Sequence, residues 1–195
     1  MERGLAKWHL WARNRYAAFA QPWTDHLEKS LNFQQAYAAL ESLIHSLPSL
    51  FSDVTVNFAF GENRPAIGDW LDPLNLGLLA TGDGVGSKSG VYFFGSPEGE
   101  IIYIGKATKN NLHHRVWDHV RTPQVELDGR RTFPKHGFSE RAYTPEQTAC
   151  ILGGDAFLGV VTVSDPELVS MVEVYLHTVH VKTHGCLPYL NKQIG

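Results

Sequence analysis

The chain has 195 residues, of which 43% are apolar and 11% aromatic, enough to bury a real core and at odds with global disorder. No apolar run approaches the length of a membrane span, and no hydrophobic segment follows the N-terminus as a secretion signal would. The formal charge of −3 is not that of a protein that grips phosphate over its whole surface. Its distribution is uneven, however. Residues 106–141 hold eight Lys/Arg against four Asp/Glu, a local +4, together with four histidines, whereas residues 1–84 sum to −3. The two cysteines, Cys150 and Cys186, lie far apart and outside any C-x-x-C pattern, which argues against a zinc knuckle or a disulfide scaffold and fits a reducing cytoplasm.

From Gly4 to Ala20 the chain reads as an amphipathic helix, with Trp8, Trp11, Tyr16 and Phe19 on one side and Arg3, Lys7, Arg13 and Arg15 on the other. A second helix is predicted from Asn32 to Ser46, with Asn32 as N-cap, Gln35 closing a capping box and Pro48 beyond the end. Val54 to Phe60 has the β-branched and aromatic character of a strand. Gly61 to Ser89 is rich in Gly, Pro, Asp and Asn, and a boundary is placed there, near residue 85.

Strands are then expected near 90–95 and 100–105, joined by Gly95-Ser96-Pro97-Glu98-Gly99 as a hairpin turn. Each carries a tyrosine close to a glycine, in Gly90-Val91-Tyr92 and Tyr103-Ile104-Gly105. A helix near 110–121 follows. On it Arg115 and His119 are four residues apart and share a face, leaving His113 and His114 off that face. Residues 122–154 form a Pro/Gly/charge-rich stretch, and Phe157 to Val163 is a further strand. Asp165-Pro166-Glu167 is a helix start, and that helix is predicted to stop at Gly185. Leu168, Val169, Val172, Tyr175, Leu176 and Val179 make an apolar stripe along it, with Glu173 at the stripe's edge and His180 nearby. The tail contains Pro188-Tyr189-Leu190-Asn191.

Cleaving a phosphodiester requires an activated water, a cation on the phosphate and a way to protonate the leaving oxygen. Phenols, a guanidinium, an imidazole and a carboxylate of the right kinds occur here in one run. The two Tyr/Gly triplets, the arginine helix, the late helix glutamate and the closing asparagine resemble, in that order, the GIY-YIG nuclease family, with Val91 where the first triplet has isoleucine.

The resemblance covers about residues 88–193 and implies an α+β fold. Its core would be a small antiparallel three-stranded sheet flanked by helices over residues 86–195, with an insertion at about 122–154. Residues 1–85 would be a mostly helical N-terminal extension carrying one strand. The implied activity is that of a Mg²⁺-dependent endonuclease acting on DNA in a bacterial cytoplasm, Mn²⁺ substituting for Mg²⁺.

By the same resemblance Tyr92 and Tyr103 activate water and position phosphate, and Lys106 supplies a positive field. Arg115 grips the phosphate, His119 moves a proton or orients a phenol, Glu173 holds the metal, and Asn191 supports the site. Lys109, Arg121, Arg130, Arg131 and Lys135 are candidate DNA contacts. The acidic N-terminal half suits a homodimer interface or a protein partner better than a DNA clamp. Two other readings compete: a catalytically silent DNA-binding or regulatory module that has kept the fold, and an unrelated metal hydrolase built on the histidines.

Overall fold

The computed structural model of the protein describes residues 30–61, 66–70, 72, 74–75, 77, 84–120, 124–129, 131–132, 138 and 143–194. The helix expected over Gly4 to Ala20 lies outside the described residues, as do Arg121, Arg130, Lys135 and the side chain of Arg131.

Helix α1 spans Phe33–Ser46 and is followed by a single turn, α2, at Pro48–Phe51. The start of α1 is the predicted capping box. The Asn32 side chain accepts from Gln35 N–H, and the Gln35 side chain accepts from Asn32 N–H. Strand β1 covers Val56–Phe60, β2 Gly90–Gly95 and β3 Ile101–Ala107. Helix α3 is Leu112–His119, two residues shorter at each end than the sequence suggests. A two-stranded ribbon, β4 at Gln124–Val125 and β5 at Arg131–Thr132, and helix α4 at Pro145–Leu152 lie within residues 122–154. Strand β6 is Phe157–Val163, and α5 is Pro166–His184.

The main sheet is antiparallel with order β1-β6-β2-β3. It therefore has four strands and not the expected three. The extra strand is Val56–Phe60, which pairs with the free edge of β6 and continues the sheet from the N-terminal half. Its apolar residues gain a second set of neighbours there: Ala59 and Phe60 are buried in the core. Strand β3 is left as the opposite edge.

Alternation along the strands sends successive side chains to opposite faces. Tyr92, Phe94, Leu158 and Val160 pack on one face with Val116 of α3, Ile151 of α4, Phe138 and Leu190. Val91, Phe93, Ile104 and Val161 pack on the other with Tyr37 and Leu40 of α1 and Val169, Val172 and Leu176 of α5. The result is three layers, helices covering both faces of one sheet. Among the described residues no helix is long and apolar enough to cross a membrane.

Helix α5 begins and ends as its sequence dictates. Asp165 accepts from Glu167 N–H at 2.9 Å, and Gly185 adopts a left-handed conformation, φ 77°, that closes the last turn. Its buried stripe differs from the one read in the sequence. It runs through Val169, Val172, Glu173, Leu176, His177 and His180, so Glu173 sits inside the stripe and two histidines line up behind it. Leu168, Tyr175 and Val179 are the flanks.

Candidate active site

The β2–β3 hairpin sets the site. Tyr92 pairs across the ladder with Gly105, and Phe94 with Tyr103, which brings both phenols to the same face. Gly105 has to be glycine: a Cβ there would lie 2.5 Å from Tyr92 Cζ and 2.8 Å from Tyr103 Cε1. The missing side chain is the slot in which the Tyr92 ring lies. Gly90 serves the neighbouring strand in the same way, because a Cβ on it would meet the Val161 carbonyl oxygen at 2.1 Å. The glycines of the two triplets thus answer to two close approaches, one of a ring and one of a backbone.

Helix α3 crosses this face and delivers His119. The Tyr92 hydroxyl lies 2.8 Å from His119 Nε2, and the Tyr103 ring meets the imidazole edge-on with centroids 4.8 Å apart. Tyr92 is fully buried, whereas Tyr103 and His119 are partly exposed. Burial raises both phenols: Tyr103 to about 12, and Tyr92 well above the ordinary phenol value. The nearby Tyr92 hydroxyl pulls Tyr103 the other way, favouring its ionised form, and Arg115 lowers both. Burial, with help from the Arg115 charge, holds His119 down at about 4, so its imidazole is neutral over the physiological range. Its Nδ1 is buried with no hydrogen-bond partner. A second N–H on that ring would have no acceptor, which acts in the same direction.

Arg115 sits one turn before His119 and is half-exposed. Its Nε donates to the Lys106 carbonyl over a long 3.4 Å, and Nη1 is 3.8 Å from Asp118. Two loose tethers leave most of the guanidinium fork open to solvent.

Lys106 and Glu173 meet on the other side of β3. Lys106 Nζ is 2.7 Å from Glu173 Oε2, the lysine side chain 29% exposed and the glutamate only 6%. The approach is a close ion pair that sets the lysine charge directly against the carboxylate. Although it faces away from the phenols, the Glu173 charge is near enough to raise both of them. Asn191 closes the group. Its Oδ1 accepts from Ile104 N–H at 2.9 Å and its Nδ2 donates to Ile104 C=O at 2.8 Å, so one side-chain amide replaces a missing neighbour strand on the edge of β3.

Tyr92, Tyr103, Arg115 and His119 therefore come together at one face, with Lys106 and Glu173 at the edge beside them and Asn191 bracing the strand between. Lys109 is exposed after the end of β3 and takes no part in this cluster. His113 accepts from Trp117 Nε1–H at 2.8 Å, and His114 is exposed, so both stand apart from the phenols. Among the described residues no three His, Cys, Asp or Glu side chains gather as a metal cluster.

Two participants escape a reading of the sequence. Phe138, between β5 and α4, stacks on the His119 ring with centroids 4.7 Å apart and planes 30° apart. His177 lies one turn beyond Glu173 on α5. Burial, His180 and the Lys106 charge hold it at about 4. For Phe138 the sequence carries no signal. For His177 the four-residue helical spacing from Val169 through Glu173 is the available clue. The chain has no significant match to a known protein family, a curated protein or a solved structure.

Proposed function

We propose that the protein is a metal-dependent endonuclease that hydrolyses DNA phosphodiester bonds at a GIY-YIG-type site. The observation that carries this reading is the linked set of Tyr103, Tyr92 and His119, with an open arginine and a buried carboxylate acting on the same two phenols.

The residues support a definite division of labour. Tyr103 is the phenol that solvent and substrate can reach, and Tyr92 is wholly enclosed. With neutral His119 assigned the Nε2–H tautomer, because its Nδ1 has no partner, Nε2 would donate to the Tyr92 oxygen and free the Tyr92 hydroxyl to donate toward Tyr103. The Tyr92 bond favours the Tyr103 phenolate against the burial that opposes it, and Tyr103, the reachable phenol, is assigned as the base that takes a proton from the attacking water. Arg115 assists the same ionisation and offers its fork to the phosphate oxygens as negative charge builds on them.

A Mg²⁺ ion, or Mn²⁺ in its place, suits the hard oxygen donor set here. Glu173 presents a buried carboxylate, 6% exposed, whose Oε2 is paired with Lys106 among the described residues. Glu173 would hold the ion, with water and substrate oxygens completing its shell. When bound, such an ion supplies positive charge against the phosphate and the leaving oxygen.

The test is digestion of supercoiled plasmid, and of a panel of nicked and branched oligonucleotides, with and without Mg²⁺. Cleavage that needs the ion and is abolished by chelation is the expected result. Discrete fragments would identify a sequence-reading enzyme, and cuts at junctions alone a structure-reading one. No cleavage of any of these substrates in Mg²⁺ or Mn²⁺ would overturn the reading and leave the silent binding module in its place.

A further inference from the structure

We infer that Phe138, contributed by the segment between β5 and α4, is a positioning residue that holds the His119 imidazole against Tyr92 and keeps water away from it. The inference rests on the proposed roles of His119 and Tyr92.

Phe138 is buried, at 3% exposure, and its ring is a shared wall. It stacks on His119 and meets Tyr103 edge-on at 5.2 Å, Phe94 at 6.0 Å and Tyr143 at 5.4 Å. This wall is braced from behind. The Tyr143 hydroxyl donates to Leu190 C=O at 2.7 Å, and Lys192 Nζ sits 4.7 Å over the Tyr143 ring. Leu190 in turn donates its N–H to Ile102 C=O at 2.8 Å, and its neighbour Asn191 clamps Ile104. The segment between β5 and α4, the C-terminal tail and the edge strand are therefore tied in one series that ends on the imidazole.

Few groups compete for control of that imidazole. Among the described residues the titratable groups facing it are Arg115 and Asp118 from its own helix, Tyr92 from β2 and Tyr103 from β3. Arg115 lowers the imidazole's pKa and Asp118 raises it, and burial outweighs both. Phe138 covers one face of the ring and brings no charge, so its contribution is the exclusion of water. A general core residue would stabilise the fold without setting the protonation of one histidine.

The experiment is an NMR pH titration of the histidine rings in the full chain, for the wild type and for Phe138→Ala, Phe138→Leu and Phe138→Tyr. Wild-type His119 is expected to stay neutral down to about pH 4 and to show the Nε2–H tautomer. In Phe138→Ala its midpoint should rise toward the ordinary 6.5, by about one unit or more. Phe138→Tyr should leave it in place. Phe138→Leu, which keeps most of the bulk but not the stack, should fall between, and it supplies the reading if the alanine variant does not fold. His177, on the opposite face, serves as the internal control.

An unmoved His119 midpoint in a folded Phe138→Ala or Phe138→Leu protein would overturn the inference. So would an equal shift of His177, which would mark general loosening. The titration needs no catalysis. A shifted midpoint in a protein that never cuts DNA would keep Phe138 as the positioning residue and discard the nuclease reading. Cleavage with an unmoved midpoint would do the reverse.

Discussion

The two faces of the β2–β3 hairpin are built from adjacent residues and have opposite character. One holds Tyr92, Phe94, Tyr103, His119 and Phe138, a largely buried aromatic group in which burial favours the neutral form of each titratable member. The other holds the Lys106–Glu173 ion pair, with Val91, Phe93 and Ile104 beside it and His177 one turn along α5. Gly105 and Lys106 are neighbours in the chain, yet alternation gives the first to the phenols and the second to the carboxylate. Because β3 is an edge strand, groups on its two faces lie within electrostatic reach of one another. Around the rim of β3 the Glu173 charge reaches both phenols, and Arg115 touches the Lys106 carbonyl.

If the two faces form one catalytic unit, damage to either should silence it. Glu173→Ala, on the ionic face, should lower the single-turnover cleavage rate on plasmid by about 10³-fold or more, and Arg115→Ala by about 10²–10³-fold. On the aromatic face, Tyr103→Phe should cost about 10²–10⁴-fold. Tyr92→Phe, which only removes the inner link, should cost less. Equal losses for the two tyrosine variants would blur the assigned roles. Because the Tyr103 phenol stands near 12, the wild-type rate should also climb with pH through the alkaline range, and Tyr103→Phe should flatten that rise.

The neutral His119 has a consequence for stability. His119 titrates near 4 when folded and near 6.5 when unfolded. Between those values the unfolded chain binds a proton that the folded chain refuses, so stability falls as pH falls through this window and levels off below it. The loss is roughly 3 kcal/mol for His119, and His177 acts in the same direction. Urea melts at pH 7, 5.5 and 4.5 check this. A stability that rises on acidification would contradict it.

The smallest expected effect lies between the faces. Asn191→Ala removes both hydrogen bonds to Ile104 and should destabilise the protein by about 1–3 kcal/mol, with amide exchange quickening along β3 first. A uniform increase across the sheet would mean that the amide does not act on the edge strand in particular.

Much of the local structure is legible in the sequence because its causes are local. Asn32 with Gln35, Asp165 with Gly185, and the Ser96–Gly99 turn each fix a boundary through hydrogen bonds a few residues long. Pairings across long sequence intervals are not written in that way. Nothing in Val56–Phe60 says that it will lie against β6, about a hundred residues later. The buried row of Glu173, His177 and His180 is hidden by its polarity, since an apolar stripe is sought with apolar letters. Phe138 is hidden by its surroundings, a charged and proline-broken stretch in which one aromatic carries no period.

The most direct test of the central claim is the single-turnover cleavage rate of Glu173→Ala beside wild type, at saturating Mg²⁺ and equal DNA occupancy. The variant should bind DNA as well as wild type and cut it about a thousandfold more slowly. A variant that cuts at the wild-type rate would contradict the claim that the carboxylate and the phenols serve one reaction.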